Sequence, residues 1–319
     1  MDYFIQNGYP QPDVPPEDIP DEEFELLSER EKNSEFVAMQ GKTYLQDAWS
    51  RFRKNKLALA GLLFIALMIL LAVFVPILSP YAYDEMDLTH INALPSAAHW
   101  LGADKFGRDI LVRIMYGARI SLTVGIAAAL LNLVIGVTYG AIAGYIGGTA
   151  DLIMMRLVDI IYAVPTLLYV ILTMLIFGSN IFSVLIAIGI SSWVGMARLV
   201  RGQIMSLKEQ EYALAAYVIG ASRRRIMFKH LIINCLGPII VDTMLMVPNA
   251  IFAEAFLAFV GIGISLPQAS WGTMANEARS LLQTQPLQML WPVLAICLTM
   301  LSLNFIGDGL REALDPKKR

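Results

Sequence analysis

The chain has 319 residues, of which 56% are apolar and only 16% are charged, and its formal net charge at neutral pH is −3. Soluble domains carry about 25% charged residues. The low charge and the apolar excess therefore exclude an ordinary soluble globular domain and indicate an integral membrane protein.

The first 40 residues differ in composition from the rest of the chain. They contain eleven acidic residues, two basic residues and five prolines. Such a segment cannot bury enough apolar surface to fold, so residues 1–40 are predicted to be an acidic, disordered cytosolic tail. They have neither a basic start nor an early apolar core, and they therefore do not resemble a signal peptide.

A Gly41-Lys42-Thr43 sequence follows this tail and imitates the end of a nucleotide-binding P-loop. That loop requires a further glycine five residues before Gly41, where Phe36 stands. No other Gly-Lys-Ser or Gly-Lys-Thr sequence occurs in the chain. We therefore expect a protein that is not an enzyme and has no ATPase site of its own.

Six apolar stretches are long enough to cross a bilayer as helices, because about 20 residues span a hydrocarbon core of about 30 Å. They lack the alternating pattern of a membrane β-barrel, so the predicted fold class is an all-α membrane protein with six transmembrane helices. Residues 41–78 are interpreted as an amphipathic lead-in and the first of these helices. The stretches are Leu57–Leu78, Ile120–Ile146, Leu157–Phe177, Ile181–Val200, Pro238–Val260 and Gln288–Ile306.

The basic residues determine the predicted orientation. With the N-terminus in the cytosol, most of the 24 Lys and Arg residues fall on the cytosolic side. Short loops rich in Lys and Arg stay in the cytosol. Both termini are therefore predicted to be cytosolic, with residues 120–311 as a five-helix core and residues 312–319 as a cytosolic C-terminal tail.

The extracytoplasmic segment 79–119 carries most of the basic residues that this topology places outside. Five acidic residues share the segment, so we interpret it as a folded cap with internal ion pairs, and a re-entrant segment is the alternative. The basic residues are Lys105, Arg108, Arg113 and Arg119, and the acidic residues are Asp84, Glu85, Asp87, Asp104 and Asp109.

Three glycines, Gly136, Gly140 and Gly144, recur at every fourth position of the second stretch. Small residues at this spacing line one helix face and let a neighbouring backbone approach closely. We interpret them as a helix-packing face, and a substrate-facing role is the alternative.

Two acidic residues, Asp242 and Glu254, lie in the fifth stretch. Asp242 is expected near the cytosolic interface. Glu254 lies deeper, where a charge that faced lipid would cost about 3 kcal/mol. Glu254 is therefore expected to face the protein interior or a pore, and the sequence leaves a structural hydrogen bond and a pore role both open.

Residue types that often build catalytic or metal sites show no such arrangement here. Cys235 and Cys297 form no CxxC motif, and His90, His99 and His230 lack metal-ligand spacing. The apolar stretches contain no paired acids or Ser/His arrangement of the kind an intramembrane enzyme needs. We expect no catalytic residue, no metal and no cofactor.

The loop at residues 202–230 is too long and too patterned for a simple connector. Glu211 opens a predicted short helix, where an acidic residue is favourable, and Gly220 can take a positive φ angle and turn the chain. Small residues are predicted to give this helix a smooth surface, and a basic patch follows. This pattern favours a docking element, and a basic helix on anionic lipid is the alternative. The small residues are Ala213, Ala215 and Ala216, and the patch is Arg223–Arg225.

The loop also carries a sequence resemblance, because Leu214-Ala215-Ala216 followed by Gly220 is similar to the coupling loop of binding-protein-dependent ABC importer permeases. Four further motifs resemble the oligopeptide/dipeptide branch of that family, in its C-type subunit, and they occur in the family's order. They are His99–Asp109, Gly117–Leu122, Ser270–Met274 and Gly307–Pro316.

The resemblance implies a type I (MetI-like) permease fold in a bacterial inner membrane, and it implies several partners. These are a second permease subunit, expected to be a different but related chain, two ABC ATPase subunits, an extracytoplasmic substrate-binding protein and membrane lipid, with no nucleic acid. The residues expected to couple to the ATPase are Glu211, Ala215, Ala216, Gly220, Ala221 and Ser222.

Alternatives remain at this stage for both the cargo and the mode of transport. Dipeptides, longer peptides, nickel chelates and haem are all compatible with the branch, and a homodimer of permeases is not excluded. A secondary transporter is disfavoured because the chain shows neither two sets of six helices nor paired broken spans.

Overall fold

The computed structural model describes residues 44–264 and 267–315, and all regular structure within these ranges is helical apart from one isolated bridge between Ala103 and Asp109. The prediction of an all-α protein is confirmed. The tail at 1–40, the Gly41-Lys42-Thr43 sequence and Pro316 lie outside the described residues.

The helices are labelled in chain order. Short π-helical segments at Asn132–Gly136 and Ile226–Leu231 and a 3₁₀ turn at Arg279–Leu281 connect or extend them. The helices are α1 (Tyr44–Phe52), α2 (Lys56–Leu78), α3 (Ile110–Leu131), α4 (Val137–Ile146), α5 (Gly148–Ala163), α6 (Thr166–Phe177), α7 (Ile181–Leu207), α8 (Glu211–Val218), α9 (Leu236–Val260), α10 (Trp271–Ala278) and α11 (Pro286–Leu314).

Five continuous helical stretches are long and apolar enough to cross a membrane, and α5 and α6 together meet the same criterion as a bent pair, either one broken span or a re-entrant loop. The five stretches are α2, the run of α3 through α4, α7, α9 and α11. The count of six predicted from the sequence therefore agrees with the structure when the α5–α6 pair is counted as one span.

The third predicted span, Leu157–Phe177, was wrong as a continuous helix. It is divided into α5 and α6, whose axes differ by 81°. Pro165 lacks an N–H group, and it forces the preceding residue out of the helical region. Val164 accordingly has φ −85° and ψ 122°.

The second span begins ten residues earlier than predicted, at Ile110 instead of Ile120, so segment 79–119 is non-helical only as far as Asp109. The Asp109 carboxylate caps this helix by accepting a hydrogen bond from the Val112 N–H at 2.9 Å. Two arginines obscured the helix in the sequence, and both are satisfied within the protein. Arg113 is 1% exposed beside acidic residues, and Arg119 donates to the carbonyls of Ala72 and Val73.

The connections give the bundle two ends, which we call the α8 end and the α10 end. At the α8 end, the terminus of α4 meets the terminus of α7, where Lys208 Nζ donates to the Gly144 carbonyl at 3.1 Å. At the α10 end, Trp271 is fully buried and its indole N–H donates to the Ile114 carbonyl at 3.0 Å. The Ser270 and Thr273 side chains form a capping box that starts α10 above this contact.

The predicted glycine face of the second span lies against α7. A side-chain carbon added at Gly140 or Gly144 would come closer than 3 Å to the α7 backbone at Ala197 or Arg201. A side-chain carbon at Gly136 would meet Met196. The glycines thus occupy a close helix contact and do not face an open space.

Candidate functional site

The short helix α8 stands at the tip of α7, after a three-residue turn, and two alanines hold it in place. Ala213 and Ala216 are 4% and 5% exposed and belong to an apolar cluster with Ile204, Ile226 and Leu231. The spacing of three residues puts both alanines on one face of the helix. Their small size lets α8 lie close against the end of the bundle.

The other face of α8 is apolar and exposed. Tyr217, Val218 and Ile219 are 69%, 81% and 83% exposed, and Leu214 is 53% exposed. The expectation of a smooth alanine surface was wrong for Ala213 and Ala216, which point inward, whereas Ala215 is exposed. The helical spacing of the larger side chains was present in the sequence, and it would have identified this face.

Gly220 terminates α8 with a backbone turn that requires a positive φ angle. Its φ is +80°, and the Ala221 N–H bonds to the Ala216 carbonyl while the Gly220 N–H bonds to the Tyr217 carbonyl. These two bonds form a Schellman motif. Ser222 then starts the next helical turn, because its hydroxyl accepts from the Arg225 N–H at 3.3 Å. The predicted loop residues therefore form one compact helix–turn–helix unit.

The electrostatics of α8 are simple. Glu211 is its first residue and its one acidic residue, at the helix end where a negative charge is favourable. Burial raises the pKa of the Tyr212 phenol above its usual value, so this side chain stays neutral at physiological pH. An open groove of about 770 Å³ runs beside α8, with Lys208, Arg223 and Arg224 among its lining residues.

Two ion pairs and a lysine join α7, the helix that carries α8, to α5 and to the end of α4. Arg201 of α7 makes two hydrogen bonds to Asp151 of α5, at 2.5 and 2.6 Å. Arg198 of α7 bonds Asp159 of α5 at 2.8 Å. Together with the contact of Lys208 to Gly144, these bonds attach α5 and the end of α4 to the helix that carries α8.

Glu254 lies inside the bundle and is 1% exposed. The Ser121 hydroxyl of α3 donates to its Oε2 atom at 3.0 Å, and Oε1 has no hydrogen-bond partner among the described residues. Glu254 therefore makes an internal hydrogen bond, which was one of the two alternatives that the sequence left open. Asp242 is half-buried and lines a cavity of about 340 Å³ at the α8 end, together with Arg311 and Asp315.

A polar face that the sequence analysis missed runs along α7 and its neighbours. Ser191, Gly195, Arg198 and Gly202 share one face of α7, and the two glycines have open space beside them. Asn249 is exposed near the middle of α9. Polar side chains at membrane depth are unfavourable in lipid and usually face a protein interior or a water-filled path. This face is therefore a candidate wall of a pathway.

The α10 end contains the internal ion pairs that the sequence predicted, and an additional partner. Arg108 and Arg113 are 2% and 1% exposed, and both contact Asp104 and Glu277. Glu277 lies on α10, far away in the chain, and the sequence analysis did not identify it. Separately, His99 and Asp109 form a buried pair at 2.8 Å.

A metal site is not found in the described part of the chain, where no three His, Cys, Asp or Glu side chains are grouped suitably. Cys235 is buried and Cys297 is exposed, and both are free thiols.

Two family comparisons agree with this architecture. Residues 136–319 match the family described as the binding-protein-dependent transport system inner membrane component. Residues 43–95 match the N-terminal TM domain of oligopeptide transport permease C. The first match contains α8, the pathway wall candidate and Glu254, and the second contains α2 and part of the cap.

Individual proteins are similar over nearly the whole chain. The oligopeptide transport system permease protein OppC of Bacillus subtilis is 47% identical, over 95% of this chain and 99% of the relative. The dipeptide transport system permease protein DppC of the same species is 47% identical, over 94% of each. OppC of Haemophilus influenzae is 43% identical, over 91% of this chain and 97% of the relative.

Proposed function

Since the chain belongs to the family of binding-protein-dependent transport system inner membrane components, we propose that it is the C-type permease subunit of an ABC importer for oligopeptides or dipeptides. It is a multi-pass protein of the inner membrane. Permeases of both peptide classes are equally similar to it, so the proposal extends to peptides and not to a particular length.

The exposed apolar face of α8 is the observation that supports this role most directly. Val218 and Ile219 stand at the tip of a helix whose other face is anchored in the bundle. A large apolar face of this kind marks an interaction site. We assign the ATPase subunits as its partner and the α8 end as the cytosolic side, in agreement with the basic residues there.

The bonds at the base of α8 supply a route for the movement. ATP binding shifts the permease only if it stabilises one conformation over another. A displacement of α8 acts on α7, and through the Asp151–Arg201 and Asp159–Arg198 pairs it acts on α5. The glycine contact between α4 and α7 makes these helices move together. Glu211, Ala215, Gly220, Ala221 and Ser222 belong to this unit, and Ala216 anchors it from inside.

The pathway requires a second permease subunit. The polar face around Arg198 and Asn249 is open in the single chain. A related but different chain would close it. Two ATPase subunits would bind at the α8 end, and an extracytoplasmic binding protein would deliver cargo at the α10 end.

The complete importer tests this proposal. The chain carries an affinity tag and is purified in detergent, and we expect a second permease and ABC ATPases to purify with it. Cells that lack the chain should lose uptake of labelled di- or tripeptides, and the wild-type gene should restore it. Unchanged peptide uptake, or purification without any ATPase, would overturn the proposal.

The isolated chain gives a separate test of whether ATP hydrolysis belongs to the ATPase subunits alone. It should release no phosphate from ATP, whereas the assembled importer should do so. Phosphate release by the isolated chain would assign it an ATPase site and contradict the proposal.

A further inference from the structure

A cavity of about 300 Å³ lies where α5 and α6 meet at the bend, against α7 and α9. This size is at the lower end of the range for small-ligand sites. The residues that matter here are Pro165 and Thr166 at the bend, Ser191 and Ser192 on α7, and Asn249 on α9.

The side chains of this cavity offer hydrogen-bonding groups without charge. Thr166 donates to the Ser191 hydroxyl at 3.4 Å, and Ser191 donates to the Ile188 carbonyl at 3.3 Å. The Ser192 hydroxyl oxygen is buried and has no hydrogen-bond partner among the described residues. Asn249 presents an exposed amide. None of the residues that line the cavity is Asp, Glu, Lys, Arg or His.

The bend adds backbone groups to this surface. The last carbonyls of α5 have no partners within their own helix, because the chain turns at Val164 and Pro165 has no N–H. The Ile161 carbonyl is satisfied by the Val164 N–H at 3.3 Å and by the Tyr169 hydroxyl at 3.1 Å. Non-helical backbone at membrane depth is tolerated where it is buried in protein or lines a water-filled cavity.

Lipid is a poor occupant for this cavity. An Asn amide and hydroxyl groups that face hydrocarbon lose their hydrogen bonds with water. By contrast, the exposed face of α2 carries Leu63, Leu67, Leu70 and Phe74, which suit lipid. The polar cavity therefore faces either cargo or the second permease.

We propose that the cavity at the α5–α6 bend is a subsite for the main-chain amide groups of the transported peptide. A peptide bond offers one N–H donor and one carbonyl acceptor, and the exposed Asn249 amide, with its own carbonyl and NH2 group, can bond both. Because the cavity is uncharged, it recognises what all peptides share and does not select side chains. This inference rests on the proposed peptide-importer function.

Thiol labelling tests the subsite in the assembled importer in proteoliposomes. Cys235 and Cys297 are replaced by serine, and Ser191→Cys is introduced, which lines the same cavity and leaves the Asn249 amide in place. A membrane-impermeant cationic thiosulfonate is added, and modification of this chain is followed by mass spectrometry. Leu67→Cys, in the middle of the apolar face of α2, is the matched control for lipid exposure.

We expect Ser191→Cys to react and Leu67→Cys to resist. Trialanine, added with ATP and the binding protein at about four times its dissociation constant, should slow the reaction of Ser191→Cys about fivefold, because a bound peptide covers the thiol in about four molecules out of five. ATP and the binding protein without trialanine should have no such effect. Reaction that trialanine leaves unchanged would overturn the subsite. Resistance in every state would assign the cavity to the second permease and also overturn it.

A substitution gives an independent measurement. Asn249→Leu keeps a similar volume and suits a membrane helix, so the importer should assemble normally. We expect trialanine transport to fall about fivefold while ATP hydrolysis continues. Transport at the wild-type rate would contradict the subsite. If the wild-type importer takes up no peptide at all, the proposed function fails instead.

Discussion

The two ends of the bundle differ in how far their side chains find partners within the chain. At the α10 end, Arg108, Arg113, Asp104 and Glu277 are buried together, and Trp271 is fully enclosed. At the α8 end, Val218 and Ile219 are more than four-fifths exposed. The polar side chains of the first end pair within the single chain, whereas we propose that an ATPase subunit covers the apolar side chains of the second. Substitutions at the α10 end should therefore change folding stability, and substitutions at the α8 end should change transport.

Glu277→Gln should have the largest effect on stability. Loss of this carboxylate leaves Arg108 and Arg113 with Asp104 as their shared acidic partner in a nearly buried site, and breaking a buried pair costs about 3 kcal/mol. Thermal unfolding of the purified protein in detergent measures the loss. Arg279→Gln, two residues later and exposed, is the control and should change stability by less than about 0.5 kcal/mol. Equal stability of the two variants would show that the α10 end does not depend on its ion pairs.

Gly140→Ala should have the next largest effect. The added methyl group would overlap the Ala197 backbone, and overpacking of this kind costs about 1–3 kcal/mol. Gly195→Ala is the matched control on the opposing helix, because nothing lies within 4 Å of the added carbon. Unfolding temperatures of both variants, measured side by side, decide whether the α4–α7 contact is as close as described.

Gly220→Val should have a smaller effect on stability and a large effect on transport. A β-branched residue at a φ of +80° costs about 1–2 kcal/mol, and the cost falls on the turn that fixes the end of α8. We expect the variant to remain in the membrane but to uncouple ATP hydrolysis from uptake. Peptide uptake and phosphate release are measured at equal expression. Wild-type uptake by the variant would argue against this turn as a coupling element.

Val218→Ser combined with Ile219→Ser should have the smallest effect on stability, within about 0.5 kcal/mol, because both side chains are exposed. Docking of the ATPase should weaken by about 2 kcal/mol, which is about thirtyfold in affinity. Recovery of the ATPase with the tagged chain measures this loss. Gln203→Ser, also exposed at the α8 end, should leave recovery unchanged. If the double variant retains its ATPase, the apolar face of α8 is not the docking surface.

The sequence located the apolar part of each candidate span, because a long apolar run is a local signal, but it missed the first ten residues of the second span, which carry Arg113 and Arg119. Pro165 was also visible, but it was given too little weight against the apolar residues around it. The buried ion pairs were only half predictable. Arg108 and Asp104 are four residues apart, whereas Glu277 joins Arg113 across 164 residues, and no local pattern indicates such a contact.

The α8 loop shows a different limit. Its Gly220 turn followed from the conformational freedom of glycine. The helical period also predicts that Ala213 and Ala216 face inward, since the larger side chains Leu214, Tyr217 and Val218 occupy the opposite face. The sequence analysis considered the alanines alone and therefore assigned them to the exposed surface. Four members of the polar face lie on α7 at helical spacing and were visible in the sequence, whereas Asn249 lies on α9 and joins Ser191 at one cavity only through the fold.

The apolar tip of α8 has a consequence for biosynthesis. If α8 is the ATPase docking helix that we propose, newly inserted copies of the chain would display Val218 and Ile219 to the cytosol until an ATPase covered them. Uncovered apolar tips of this kind attract chaperones and proteases or cause aggregation. Copies made in excess of the ATPase would be cleared first, so the proposed docking surface would also help to keep the numbers of the importer's subunits in balance.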